Sequence, residues 1–275
     1  MHSITQLIAL ALEEDIGPGD VTSDNLIDPD LEGKGVIIAK EPAVLAGLHV
    51  AQQVFEILDP EARFILRRQD GDRLHSGDPV LEVSGKMGAL LKGERTALNF
   101  LQHLSGIATC VKSYVDLLQN RPVRLVDTRK TTPGLRSLEK YAVRMGGAAN
   151  HRMGLYDGIL IKDNHIAAFG SIPKAIRHVR RKSSHLLKIE IEVSDLTGVK
   201  EALAAAADVI MLDNMALSQI KEAVALIDAK ALVEVSGGIT RDNMIPLADT
   251  GVDIISVGAL IHSARSVDMS MTIGL

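Results

Sequence analysis

Tryptophan is missing from the 275 residues, and aromatic side chains of every kind make up only 3% of them. A chain so poor in rings offers no platform on which unpaired bases stack, so single-stranded nucleic acid is not an expected ligand. The formal net charge of −5 removes general attraction to a phosphate backbone as well. Cysteine occurs once, at Cys110, which rules out an intrachain disulfide and fits a reducing cytoplasm. No apolar run approaches the roughly 20 residues a membrane span requires, so no membrane association is expected. The opening residues lack a basic start, and their short apolar run ends in Glu13-Glu14-Asp15, unlike a signal peptide.

What is present is ordinary soluble composition, 46% apolar and 24% charged, long enough for one large or two modest domains. Against the negative total, the stretch from Arg121 to Arg152 carries eight lysines and arginines and only two acids, Asp127 and Glu139. A local field opposed to the global sign is what a pocket for a multiply charged anion requires. Arg136, Lys140 and Arg144 step by four and also fit a solvated helical face. Arg129, Lys130, His151, Arg152 and Lys162 do not, because they sit at the edges of apolar runs. The run from Lys174 to Lys188, basic throughout, reads as a solvated helix and loop.

The chain changes rhythm along its length. The first part predicts a helix over Ile4–Leu12 that breaks at Gly17-Pro18-Gly19. Strands follow at 36–39, 63–66 and 80–83, with a helix near 49–58, giving a small α+β domain. Its Gly-Asp turns with Lys86 resemble a lipoyl- or biotin-carrier hairpin only weakly, since the lysine is not at a tight symmetrical turn. Apolar residues then recur in steps of three and four from Glu94 to Leu118, predicting a long amphipathic helix, bent at Ser105-Gly106 and bridging two domains. Beyond it, strand-like runs at 123–126, 158–161, 188–193, 209–212, 231–235 and 253–257 alternate with helical stretches, the pattern of a parallel sheet. Six strands predict an incomplete β/α barrel. Residues 265–275 read as a strand returning to the first domain. The expected division is therefore 1–106 plus that strand, and 107–264.

Nearly every run in the second part ends in a reactive or anion-binding residue: Asp127, Arg129 and Lys130, then Lys162, Glu192, Asp213, Ser236-Gly237-Gly238 and Gly258. In a β/α barrel that end of the strands carries the active site. The Ser236-Gly237-Gly238 and Gly258 turns suit a phosphate at helix N-termini better than two unrelated tight turns. Glu192 and Asp213 could hold Mg²⁺ together with substrate phosphates, or could pair with Lys162 or Arg129. Glu190 and Glu192 alternate on one strand and point the same way. Zinc is not expected, for His151 and His165 lack ligand spacing and no second cysteine exists. Lys162 at a strand end also permits a Schiff-base aldolase, although one phosphate site would not need so many cations.

The sequence resembles the quinolinate phosphoribosyltransferase family nearly end to end. The runs that carry the resemblance are 12–20 (Leu-Glu-Glu-Asp-Ile-Gly-Pro-Gly-Asp), 93–99, 127–134 (Asp-Thr-Arg-Lys-Thr-Thr-Pro-Gly), 150–152, 162–165 (Lys-Asp-Asn-His), 190–192, 212–214 and 236–239. The resemblance implies an N-terminal α/β sandwich domain and an atypical β/α barrel. It also implies a homodimer, or a larger assembly, whose active site is shared between one subunit's barrel and the other's N-terminal domain. The implied reaction converts quinolinate and 5-phosphoribosyl-1-pyrophosphate to nicotinate mononucleotide, pyrophosphate and CO₂ with Mg²⁺. Carried over residue by residue, Arg129, His151, Arg152 and Lys162 line the quinolinate pocket, with Arg95 supplied by the partner. Lys130 holds phosphoribosyl charge, Glu192 and Asp213 hold ribose and metal, and Ser236, Gly237, Gly238 and Gly258 take the 5-phosphate. A glycine usual before Asn-His-Arg is Ala148 here, which puts the backbone there in question. A molybdenum-locus paralogue and a noncatalytic phosphosugar-binding protein are the remaining alternatives.

Overall fold

The computed structural model describes residues 4–275; Met1–Ser3, where the reading of the N-terminus begins, lie outside them. Two compact units emerge. The first takes residues up to Lys112, Thr132–Gly147 and Ala264–Leu275; the second takes Ser113–Thr131 and Ala148–Ser263.

The first unit contains α1 (Ile4–Ile16), α2 (Ser23–Leu26), β1 (Glu32–Ala39), β2 (Ala43–Val44), α3 (Leu48–Leu58), β3 (Arg63–Leu66), β4 (Arg73–Leu74) and β5 (Pro79–Lys86). The long α4 (Met87–Val115) follows and ends in the second unit. Burial alternates along β1, with every second residue from Gly33 to Ala39 turned into the core, as a half-covered strand requires. On α3, Val50, Ala51, Val54 and Phe55 share the buried face, the spacing of an amphipathic helix. The predicted helix near 49–58 and the three predicted strands are all present.

Helix α4 begins seven residues before the expected start, and it runs as one helix through Ser105-Gly106. The glycine there permits close packing. A Cβ there would lie 2.1 Å from the carbonyl oxygen of Arg265 and 2.9 Å from Cα of Ser266. Ser105, fully buried, accepts from the Ala46 amide at 3.0 Å, so its hydroxyl is spent on the core.

The second unit opens with a 3₁₀ turn (Asp116–Leu118) and β6 (Arg124–Val126). The chain then returns to the first unit for α5 (Arg136–Met145). Afterwards come β7 (Ile159–Ile161), α6 (Asp163–Phe169), α7 (Ile172–Lys182), β8 (Ile189–Val193), α8 (Leu196–Ala204), β9 (Val209–Asp213), α9 (Leu217–Ile227), β10 (Leu232–Ser236), α10 (Arg241–Ala248), β11 (Ile254–Ser256) and α11 (Ala259–His262). All six expected strands form one parallel sheet in the order β6-β11-β10-β9-β8-β7. The expectation of an incomplete barrel holds: β6 and β7 are not paired to each other, and beyond its β11 side β6 meets only a parallel bridge from Val126 to Ala149.

The last strand, β12 (Met269–Gly274), belongs to the first unit. It pairs antiparallel with β1 in a four-stranded sheet ordered β12-β1-β5-β3. No helix among the described residues is long and apolar enough to cross a membrane.

Candidate active site

Six parallel strands end on one side of the second unit, and a cavity of about 740 Å³ opens there. Its wall gathers Arg129, Lys130, His151, Arg152, Lys162, Glu192, Asp213, Ser236, Gly237, Gly238 and Gly258. Every site residue expected within the barrel therefore lies on one surface. Arg95 stands apart in the chain, exposed on α4 of the first unit.

Asp127 organises the cationic wall from below. It is fully buried, its Oδ1 accepting from the His151 amide at 2.9 Å and its Oδ2 from the Asn150 side chain at 2.7 Å. The acid at this strand end thus fixes the Asn-His-Arg loop rather than facing a ligand. Ala148, just before that loop, has no positive φ; the residue that needs the left-handed region is Gly147, at φ +96°. Alanine at 148 therefore costs the backbone nothing.

Arg152 donates to the Gly158 carbonyl at 2.9 Å, which aims its guanidinium along the cavity wall. Burial, then the neighbouring Arg129 charge, holds Arg152 below the usual arginine range. The two guanidiniums share one cavity wall, where an anion could offset their mutual repulsion. Lys162 caps the start of α6 and forms an ion pair with Glu192 Oε2. A Schiff-base nucleophile needs a lysine free to attack a carbonyl, and this pairing with Glu192 occupies the Lys162 amine instead.

Opposite the cations lies a glycine-lined turn. Gly237 sits at φ +90°, and a Cβ on it would fall 2.2 Å from Oδ1 of Asn214. Asn214 is itself left-handed at φ 53°, and its side chain donates to Asp213 Oδ2 at 2.8 Å. Gly258 leaves room for two cavity neighbours, since a Cβ there would lie 3.0 Å from Lys130 Cδ and 3.2 Å from the His262 ring. Thr240 heads α10, where Asn243 accepts from its amide at 2.8 Å and closes the turn.

Glu192 and Asp213 also line an adjoining groove of about 490 Å³ with Asp163, Asp195 and Glu201. Glu192 and Asp213 are the carboxylates here that could hold Mg²⁺, with substrate oxygens and water completing its shell. A second acidic feature lies deeper. One ligand-capable atom from each of His151, Glu190 and Glu234 falls within 4.8 Å of the others. His151 Nε2 is 3.1 Å from Glu190 and 3.7 Å from Glu234. Burial first, then the Glu190 charge, pushes the Glu234 carboxyl up to about 7.

Sequence reasoning did not single out His262, Asn214, Thr128 or Glu234, all on the cavity wall. His262 follows Gly258 by one helical turn, and Glu234 precedes Ser236 by one strand repeat. Those spacings were the available signals.

Comparison with known proteins identifies the relatives of this chain. Residues 20–105 match the model of the quinolinate phosphoribosyl transferase N-terminal domain, and residues 107–272 that of its C-terminal domain. A probable carboxylating nicotinate-nucleotide pyrophosphorylase from Bacillus subtilis is 46% identical over 262 residues, 95% of this chain and 90% of that one. The carboxylating nicotinate-nucleotide pyrophosphorylase of Mycobacterium leprae is 43% identical, covering 96% and 95%. The crystal structure of NadC from Streptococcus pyogenes superposes with a TM-score of 0.95 at 46% identity, covering 98% and 96%. A strand-end cavity walled by cations and a glycine turn, together with both matched domains, places this chain in the quinolinate phosphoribosyl transferase family.

Proposed function

We propose that this chain is the carboxylating nicotinate-nucleotide pyrophosphorylase its relatives are named for, transferring phosphoribose from 5-phosphoribosyl-1-pyrophosphate to quinolinate in NAD biosynthesis. The products are nicotinate mononucleotide, pyrophosphate and CO₂. The observation that carries the reading is the single cavity uniting Arg129, Arg152, His151 and Lys162 with Ser236, Gly237, Gly238 and Gly258. One set suits a planar dicarboxylate and the other a terminal phosphate.

Arg129 and Arg152 grip the two carboxylates of quinolinate, with His151 and Lys162 completing that side. Lys130, beside Gly258, meets phosphoribosyl charge. Glu192 and Asp213 face the ribose, where positive charge develops as the pyrophosphate leaves, and they stabilise it electrostatically. Ring nitrogen attack on the anomeric carbon forms the new C–N bond. The pyridinium then accepts the electron pair of the breaking ring–carboxylate bond, so CO₂ leaves and a proton replaces it. Positioning and charge carry the reaction, with no covalent enzyme intermediate.

Mg²⁺, held by Glu192 and Asp213, would neutralise pyrophosphate oxygens. Arg95 would reach the quinolinate pocket from the second subunit of a homodimer, and a reducing cytoplasm suits the lone Cys110. The direct test supplies purified protein with quinolinate and the phosphoribosyl donor and measures CO₂ and pyrophosphate together. Release of both in equal amounts is expected; release of neither would overturn the assignment. Borohydride with a carbonyl substrate should leave Lys162 unmodified, in keeping with its pairing to Glu192.

A further inference from the structure

Beneath the quinolinate side of the cavity lie two acids that the reaction above does not use. Glu190 is on β8 and Glu234 on β10, and they are 9% and 1% exposed. Each keeps one oxygen, Oε1, buried without a hydrogen-bond partner. Glu234 lines the upper cavity and also a second space of about 330 Å³, which reaches the opposite ends of the strands at Arg124, Ile159, Val209 and Ile254. His151 and Arg152 border both spaces. The acids therefore form a layer between the substrate pocket and the barrel floor, and His151 stands on that layer.

Two carboxylates this close cannot both stay charged in a dry interior unless something cationic lies between them. The groups facing them are His151, the Ser256 hydroxyl, which hydrogen-bonds Glu234, and Arg152, whose guanidinium feels the Glu190 charge. We propose that Glu234 is a positioning residue for quinolinate: its carboxyl holds Glu190, and the pair fixes the His151 ring, and with it the Arg152 side of the pocket, in the geometry that receives the substrate carboxylates. Its carboxyl does this by donating toward Glu190, a role that burial supports, since Glu234 is the more enclosed of the two and its carboxyl is pushed up. A divalent ion bridging the trio is the competing arrangement. The cations Arg129, Arg152 and Lys162 on the same cavity wall oppose a further positive charge there.

The inference rests on His151 belonging to the quinolinate pocket, so the experiment separates the two claims. Steady-state kinetics are measured for Glu234→Leu, Glu234→Gln, His151→Ala and the double variant His151→Ala/Glu234→Leu, with thermal melts confirming folded protein. Glu234→Leu should raise KM for quinolinate about tenfold or more, the cost of losing one hydrogen bond to a charged group. KM for the phosphoribosyl donor should stay unchanged, which a general structural defect would not allow. Glu234→Gln, whose amide also donates, should restore the quinolinate KM to within about twofold. In the His151→Ala background, Glu234→Leu should add no further loss. Additive costs, with His151→Ala impaired, would overturn the positioning role alone. A wild-type quinolinate KM in His151→Ala would remove His151 from the pocket and overturn both. Glu234→Gln as damaged as Glu234→Leu, or stoichiometric Mn²⁺ binding that Glu234→Leu abolishes, would also refute it.

Discussion

At the scale of single residues, the cavity is governed by charges that constrain one another. Arg129 and Arg152 repel in the absence of a guest, so removing either should cost binding of a dianion far more than it costs the fold. Arg129→Ala and Arg152→Ala are each expected to lower kcat/KM for quinolinate by about 100-fold or more, with melting temperature nearly unchanged. Wild-type turnover in either would remove it from the mechanism. Glu234 makes a separate prediction about pH. Its carboxyl is raised from an ordinary 4.5 to about 7, so the folded state holds a proton the unfolded chain releases. The stability it lends is complete at acid pH and is lost as pH rises through about 7, by roughly 2–3 kcal/mol. Glu234→Gln keeps the hydrogen bond and titrates nothing. Denaturant melts should therefore show the variant gaining on wild type between pH 5 and pH 8, and a constant difference would count against the buried acid. Glu139 behaves in the reverse sense. Burial alone would raise it, but hydrogen bonds from His103 at 2.9 Å and the Thr132 amide at 2.9 Å hold it below the usual range. Its contribution is present at neutral pH and fades as pH falls.

At the scale of elements, two glycines carry consequences that their neighbours in sequence do not announce. Gly106→Ala should destabilise the first unit by about 2–3 kcal/mol, because the new methyl meets the backbone of Arg265 and Ser266, which cannot rotate away. An unchanged denaturation midpoint would show that the C-terminal segment yields. Gly237→Ala combines a left-handed φ with a clash at Asn214, so the turn beside Asp213 must reshape. The expected result is about a tenfold rise in KM for the phosphoribosyl donor, with the quinolinate KM little affected. The six parallel strands were legible from apolar runs alone, and so were the polar residues at their ends, because a strand that stops at a ligand must expose its last side chain. Helix α6 was not, since Asp163–Phe169 is too short to establish a period and follows Lys162 without a break. The start of α4 was hidden by Gly88 and Gly93, poor helix formers, of which Gly93 packs closely against the Phe55 ring while Gly88 faces open space. Glu234 was missed for a different reason. A lone acid in an apolar strand reads as solvent-facing, although its two-residue spacing from Ser236 puts it on the cavity side of β10.

The whole molecule weaves between its units, passing from one to the other after Lys112, Thr131, Gly147 and Ser263. The basic stretch that stood out in the sequence is thereby divided: Arg129 and Lys130 line the cavity, while α5 belongs to the first unit. That helix fits neither a free solvated face nor a ligand wall, since Leu138, Glu139, Lys140, Ala142 and Val143 are all buried. If the active site is completed across a homodimer, lesions in different chains should complement. Arg95→Ala and Lys162→Ala proteins, each inactive alone, should after mixing and subunit exchange recover about a quarter of wild-type activity, because half the dimers are mixed and each mixed dimer has one intact site. No recovery despite proven exchange would argue that each chain works alone. The pairing of Lys34 with Gly274 sets a timetable for biosynthesis. At about 5–20 residues per second, the ribosome releases β1 many seconds before its β12 neighbour exists. Until β12 has been made, one side of that strand lacks its native ladder and is open to a neighbouring nascent chain. Ending translation after Val267 should therefore send the product into inclusion bodies, although every residue on the cavity wall has already been made.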